Sequence, residues 1–132
     1  FTVTLPTVSK QTLAKVGDVA GRTPFTINLA NCSEGKVATY FEPGATVDFG
    51  TGRLNNQDAA GAKNVQVQLL GSNNQFIPVL AAGALGTQTN SQWVNVADAG
   101  AADLNYYAEY YATDASAAGK VTTSVQYTII YQ

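Results

Sequence analysis

The sequence predicts an all-β fold built as a two-sheet sandwich, and three observations support this. Apolar and polar residues alternate with a period of two over most of the chain, which is typical of half-buried strands. Gly, Pro, Asn and Asp divide these runs into roughly seven or more short segments, as in immunoglobulin-like sandwiches. Helical periodicity is nearly absent, with room for one turn at residues 11–16 before Gly17. A chain of 132 residues fits a single domain, 1–132.

The first half of the chain alternates in short runs. The run at the N-terminus ends at Pro6, which suits an edge strand or a break between two short strands. The second run leads to Cys32. The predicted strands of this half cover residues 2–5, 25–30, 37–41 and 47–49, with a further short element at Leu54.

The second half contains longer and more aromatic runs. Residues 71–74 predict a hairpin turn, and Pro78 interrupts the strand that follows it. On the aromatic strand, alternation places Tyr106 and Tyr110 on one face and Tyr107 on the other. The predicted strands are residues 65–70, 76–80, 93–96, 104–112 and 121–132, with a loop at 81–90.

Composition and charge exclude several classes of function. Only 12% of the residues are charged and the net charge is -2, so no clustered basic face for nucleic acid is expected. No apolar run approaches the ~20 residues of a membrane span, which argues against membrane insertion. The chain has no His and one Cys, which removes imidazole bases and the usual zinc ligand sets. Residues 50–53 lack the third glycine of a phosphate loop. We therefore expect no cofactor and no metal.

The chain ends inside a hydrophobic run. Within residues 119–132, the odd positions form one apolar face. A core strand that is last in sequence would show the same pattern, because one-sided alternation marks any half-buried strand. The alternation does not identify the neighbour that completes the pairing. The apolar residues of this face are Val125, Tyr127, Ile129 and Tyr131.

Several blocks together resemble a known family. Tyr131 is the penultimate residue, and Gly119 is the fourteenth from the end. Residues 23–32 form an alternating strand that ends in a cysteine, residues 62–69 form a central strand, and residues 104–113 carry the aromatic strand. In this order, over almost the whole chain, they resemble the fimbrial subunits (pilins) of the chaperone–usher pathway.

The resemblance implies an incomplete immunoglobulin-like sandwich that lacks its final strand. A groove beside the last strand would be filled first by a periplasmic chaperone and then by the N-terminal extension of a neighbouring copy, with assembly at an outer-membrane usher. We therefore expect a structural subunit without catalytic activity. It would reach the surface of a Gram-negative bacterium through the periplasm and form an extracellular fimbria for adhesion or biofilm.

The resemblance also assigns residues to the groove. Gly119 and Tyr131 correspond to a C-terminal assembly motif. Phe25 and its alternate neighbours would form the floor of the groove, unless they are ordinary core facing the other sheet. The expected groove residues are Val3, Leu5, Phe25, Ile27, Leu29, Val125, Tyr127, Ile129 and Tyr131.

Two departures from the family pattern are visible. The chain begins at Phe1, where the family's first domain strand begins, so we expect that the donor extension is missing or removed; a fragment or a terminal subunit is the alternative. The family pairs the cysteine at the position of Cys32 with one near position 1. Cys32 is therefore either a buried free thiol or half of a disulfide whose partner is at or just before position 1, and we favour the disulfide.

A carbohydrate-binding adhesin domain of a fimbrial tip is the alternative function. Its sugar-stacking surface would comprise the aromatic side chains of two predicted strands, residues 93–96 and 104–112. Their alternation between two faces argues against a joint surface, because one set then packs in the core. These residues are Trp93, Tyr106, Tyr107, Tyr110 and Tyr111.

A β-sandwich glycosidase is a weaker alternative. Glu109 would need a second carboxylate at ~5–10 Å, and the available partners are Glu34, Glu42 and Asp48. No spacing in the sequence indicates such a pair. We expect all nine acidic residues to be solvated surface groups.

Overall fold

A computed structural model describes residues 2–81 and 88–132, which form one short 3-10 helix and nine strands. No helix in these ranges is long and apolar enough to cross a membrane. The elements are η1 (Lys10–Leu13), β1 (Val19–Leu29), β2 (Lys36–Glu42), β3 (Val47–Asp48), β4 (Arg53–Asn55), β5 (Lys63–Gly71), β6 (Phe76–Ile77), β7 (Val94–Asn95), β8 (Ala102–Ala117) and β9 (Gln126–Tyr131).

The strands form two antiparallel sheets that face each other. The larger sheet has the order β1-β8-β5-β4-β3, with β6 also paired to β5. The smaller sheet has the order β7-β2-β9, so the C-terminal strand β9 lies at its edge. The architecture is the predicted all-β sandwich.

Aromatic and aliphatic side chains from both sheets form the core. The rings of Phe41 (β2) and Tyr106 (β8) meet edge to face, with centroids 5.2 Å apart. The Tyr106 hydroxyl donates a 2.7 Å hydrogen bond to Thr39 Oγ1 on the opposite sheet. Burial raises the pKa of Tyr106, so this hydroxyl stays a neutral donor. The core also contains Ile27, Val37, Leu54, Val67, Leu69, Ile77, Val79 and Leu104.

Three local predictions are confirmed. Strands β5 and β6 form the expected hairpin, with Leu69 opposite Ile77. Strand β6 stops directly before Pro78, which has no N–H to donate to a ladder. Strand β8 alternates as predicted and extends beyond residues 104–112 at both ends.

Three strand predictions need correction. Residues 2–5 belong to no strand, because no ladder partner lies beside them among the described residues. Residues 121–125 likewise belong to no strand. Strand β9 begins at Gln126, which pairs with Glu42, the last residue of β2. Strand β1 begins at residue 19 rather than 25. Of the loop predicted at 81–90, residues 82–87 lie outside the described residues.

The prediction that every acidic side chain is solvated is wrong for Glu109. This residue is on the outer face of β8 and only 2% exposed. Its two carboxylate oxygens accept hydrogen bonds from Arg22 Nε at 3.1 Å and Gln68 Nε2 at 2.6 Å. Arg53 donates to Gln68 Oε1 at 2.9 Å, and its guanidinium carbon lies 3.6 Å from the Tyr111 ring centroid. We call these five residues the outer-face network.

Candidate functional site

An apolar cleft of about 540 Å³ opens between two segments that lack strand partners, residues 2–5 and residues 121–125. We call it the cleft. Its floor is formed by side chains from both sheets, and no Asp, Glu, Lys or Arg among residues 2–81 and 88–132 lines it. The floor residues are Phe25, Phe41, Leu54, Val67, Leu69, Ala108 and Tyr110.

A second cavity of about 400 Å³ adjoins the cleft. The two share Tyr110, Val121 and Thr122 in their linings. The second cavity lies between the segment around η1 and residues 116–122, so the open space extends along residues 116–127 as a whole. Lys10 and Lys120 line it, which makes this end more polar than the cleft.

The C-terminal wall of the cleft, residues 119–125, is held along one edge only. Carbonyl groups of its even-numbered residues accept hydrogen bonds from the same side of the molecule. The pairs are Lys120 O with Ala62 N at 2.9 Å, Thr122 O with Gln57 N at 2.6 Å, and Ser124 O with Thr46 Oγ1 at 2.6 Å. Thr122 N also donates to Asn56 Oδ1 at 2.9 Å.

The other edge of this wall is unpaired. The backbone N–H and C=O groups of Val121, Thr123 and Val125 form no hydrogen bond with the described part of the chain. In an extended backbone, the N–H and C=O groups of successive residues point to opposite sides of the strand. The backbone groups of the three odd-numbered residues therefore all point to the same, open side. The hydroxyl of Thr123 is buried and has no hydrogen-bond partner among the described residues either. A buried hydroxyl in this state destabilises a fold until it is paired, and the open backbone groups of a strand edge offer a place for another strand to pair.

The N-terminal wall, residues 2–8, is anchored through a tyrosine. Tyr110 Oη donates a 3.0 Å hydrogen bond to Pro6 O. Burial raises the pKa of Tyr110, which keeps the phenol protonated and able to donate. Leu5 packs against the core from this wall. The anchor holds the wall beside the sheets without giving its backbone a strand partner.

Gly119 sets the position at which the C-terminal wall begins. Its φ is +152°, and a Cβ at this position would overlap Ala62 N and approach Gly61 C to 2.6 Å. A side chain would therefore displace the backbone contact that starts the wall. This close approach gives a physical reason for glycine at this position.

The structure brings five of the predicted groove residues together at the cleft: Val3, Leu5, Phe25, Val125 and Tyr127. The other four lie elsewhere. Ile27 is 4% exposed and belongs to the core between the sheets, whereas Leu29 and Ile129 pack against that core. Tyr131 is 64% exposed. Five of the nine residues that the resemblance assigned to the groove therefore line the cleft, and four do not.

Most of the floor was not predicted as part of the site. Phe41, Leu54, Val67, Leu69 and Ala108 were expected only as strand residues. Period-two alternation marks each of them as inward-facing, but it does not distinguish a side chain under another sheet from one under an open cleft.

The aromatic residues do not form one stacking surface. Tyr106 is buried, and Tyr110 lines the cleft. Tyr107 and Tyr111 lie on the outer face beside arginines. Cys32 is half-buried, and its N–H donates to Gly100 O at 2.9 Å. Phe1, where a disulfide partner was expected nearby, lies outside the described residues.

Comparison with known proteins decides the family. The sequence matches the family described as FimA, Type-1 fimbrial protein, A, over residues 5–132. The chain belongs to this family. Major fimbrial subunit SMF-1 of Stenotrophomonas maltophilia (strain K279a) is 70% identical, covering 99% of this chain and 78% of that protein. The F17 fimbrial protein of Escherichia coli is 43% identical, and the match covers 100% of this chain and 75% of that protein.

Solved structures give the same fold. The P pilus rod subunit PapA has a TM-score of 0.71 at 18% identity, covering 100% of this chain and 92% of that chain. The CupB6 tip adhesin from Pseudomonas aeruginosa also scores 0.71, at 19% identity, covering 96% of this chain and 34% of the adhesin. At these identities the likeness concerns the fold. With the family match, it identifies a fimbrial subunit of chaperone–usher pili, a structural component of surface fibres on Gram-negative bacteria.

Proposed function

We propose that this subunit polymerises by donor-strand exchange at the cleft. An extended N-terminal segment of a second copy would lie between residues 2–8 and residues 119–131, and its backbone would pair with the free edge. The single observation that carries the proposal is the pattern on the C-terminal wall. Even residues are bonded to their own chain, whereas the N–H and C=O groups of Val121, Thr123 and Val125 have no partner in the described residues.

The apolar lining supplies the energy for this step. A donor strand that buries about five apolar side chains gains roughly 8–15 kcal/mol gross, at ~1.5–3 kcal/mol each. Domain stabilities are ~5–15 kcal/mol in total, so a borrowed strand of this kind decides whether the subunit stays folded. Because an uncovered apolar cleft with an open strand edge promotes aggregation, the subunit needs a covering strand from the start.

The route to the surface follows from the same requirement. A periplasmic chaperone would cover the cleft after export, and an outer-membrane usher would exchange its strand for that of the next subunit. The resulting extracellular fibre would serve adhesion or biofilm formation. The proposal includes a disulfide between Cys32 and a cysteine of the full-length protein just before Phe1.

Amide hydrogen exchange, compared between purified fibres and the free chain, tests the exchange step. We expect the amides of Val121, Thr123 and Val125 to be protected strongly in fibres, by about 100-fold or more, and weakly in the free chain. Thr122 is the matched internal control, because its N–H is bonded to Asn56 Oδ1 in the chain itself. Equal exchange of the three odd residues in both samples would refute the proposal.

A further inference from the structure

A third cavity lies away from the cleft, at the end of the sandwich where β8 extends past β5. Strand β5 ends at Gly71, which pairs with Tyr106, while β8 continues back to Ala102 beside β1 alone. Residues 92–94 lie across the resulting gap. The cavity holds about 270 Å³ and shares no lining residue with the cleft.

One side of this cavity is held in place by its own chain. Gln92 Oε1 accepts hydrogen bonds from Ser72 N at 3.0 Å and Ser72 Oγ at 2.8 Å. Gly71 makes room for this contact, because a Cβ there would lie 2.8 Å from Gln92 Oε1. The carboxamide is thus fixed through its oxygen, and its Nε2 forms no hydrogen bond with the described residues.

Three more polar groups around the cavity have unused capacity among the described residues. Asn105 accepts from Thr26 Oγ1 at 2.8 Å through Oδ1, and no hydrogen bond uses its Nδ2. The exposed carboxylate of Asp103 takes part in no hydrogen bond or salt bridge there. Trp93 is half-buried, and neither its N–H nor its ring is engaged by these residues. The residues that carry these groups, Gln92, Trp93, Asp103 and Asn105, all line one small cavity.

We propose that this cavity binds a single neutral sugar ring. The C–H face of a pyranose packs on an aromatic ring, and its neighbouring hydroxyl groups pair with a carboxylate and with amide N–H groups. The volume is below the ~300–1,000 Å³ typical of sites for larger ligands, which limits the occupant to about one ring. No Lys or Arg among the described residues lines the cavity, and Asp103 repels anions, so phosphorylated and acidic sugars are disfavoured.

The proposal goes beyond fibre formation and differs from a tip-adhesin function. Among the tyrosines of β8, which the structure describes in full, only Tyr106 lines the cavity, and its side chain is buried in the core. Every subunit of a fibre would carry one such weak site, so attachment would depend on many sites acting together along the fibre.

Trp93 is the one tryptophan of the chain, so its fluorescence reports on this cavity without a label. Purified fibres are titrated with glucose, galactose, mannose and N-acetylglucosamine, with sorbitol as a control that has hydroxyl groups but no ring. We expect a saturable change for at least one sugar with a half-point of about 1–10 mM, and none for sorbitol. A failure of all four sugars, or an equal response to sorbitol, would overturn the proposal.

Variants separate the cavity from the rest of the surface. Asp103→Asn is expected to weaken sugar binding about tenfold, because a charged hydrogen-bond acceptor is lost. Asp98→Asn is the matched control, since Asp98 is exposed and does not line the cavity. Trp93→Ala, followed by saturation-transfer NMR on the sugar, should abolish binding, and Trp93→Phe should retain part of it. Unchanged binding by Asp103→Asn or Trp93→Ala would contradict the assignment.

Discussion

Polar groups are paired within the chain in the outer-face network, but they are left without a partner along the open edge of the C-terminal wall of the cleft. Glu109 is almost fully buried on the outside of the larger sheet, and both its oxygens are bonded to side chains of the same chain. On the C-terminal wall of the cleft, the backbone of Val121, Thr123 and Val125 and the hydroxyl of Thr123 have no partner in the described residues. Even the buried charge of Glu109 is therefore paired within the chain, whereas the polar groups of this edge are not.

This difference indicates where the subunit is incomplete. An open row of backbone N–H and C=O groups along one edge is a template for pairing with another strand, and the buried hydroxyl of Thr123 beside it also lacks a partner among the described residues. The network ties β1, β8, β5 and β4 together without outside help. The open edge of the C-terminal wall lies beside the apolar floor of the cleft. Substitutions in the cleft should affect assembly, whereas substitutions in the network should affect stability.

The largest effect is expected for Tyr127→Asp. Tyr127 is 38% exposed and lines the cleft, so a carboxylate there would be buried under any incoming strand. Burying it without a partner costs several kcal/mol, and we expect fibres to be absent by electron microscopy. Val16→Asp is the control, because Val16 is an exposed apolar residue outside the cleft lining. A wild-type yield of fibres from Tyr127→Asp would contradict the claim that the cleft is needed for assembly.

A smaller loss is expected for Gly119→Ala. The added Cβ would meet the backbone of residues 61–62 and would stand at a φ of +152°, which L-residues rarely adopt. We expect the free energy of unfolding to fall by ~2–4 kcal/mol in urea denaturation. Gly44→Ala is the matched control, since a Cβ on Gly44 would have no described atom within 4 Å and its φ is not positive. If both variants are equally stable, the close approach at Gly119 has no energetic consequence.

The smallest effects concern the outer-face network and would sharpen the comparison. Arg22→Ala leaves the buried Glu109 carboxylate without its cation, and we expect a loss of ~1–2 kcal/mol, because the Arg22 side chain is 43% exposed and water screens the pair. Glu109→Gln removes the charge and keeps an acceptor, so ~1–2 kcal/mol is expected. Both variants should still form fibres at temperatures where they remain folded. A loss of fibres without a loss of stability would place this network in assembly instead.

The sequence predicted the fold well because alternation and turn residues act locally. Strand β8, the hairpin of β5 and β6, and the end of β6 before Pro78 all follow from such signals. The strand boundaries at the cleft depend on distant partners. Residues 121–125 alternate like a strand, but β2 ends at Glu42 and offers them no ladder.

The site was predictable only in part for a similar reason. Alternation placed Val125, Tyr127, Ile129 and Tyr131 on one face. It did not show that Val125 and Tyr127 line the cleft while Ile129 packs against the core and Tyr131 is exposed. The burial of Glu109 was missed because its partners come from other strands, Arg22 on β1 and Gln68 on β5. No local pattern records such pairings.

The open edge at residues 121–125 consists of main-chain groups, which every amino acid except proline supplies in full. Substitutions can change the side chains along this edge, but nearly any sequence there would keep the same backbone N–H and C=O groups. In the proposed exchange, selection of one incoming strand would therefore come from the apolar floor of the cleft, because the main-chain groups alone accept any extended backbone.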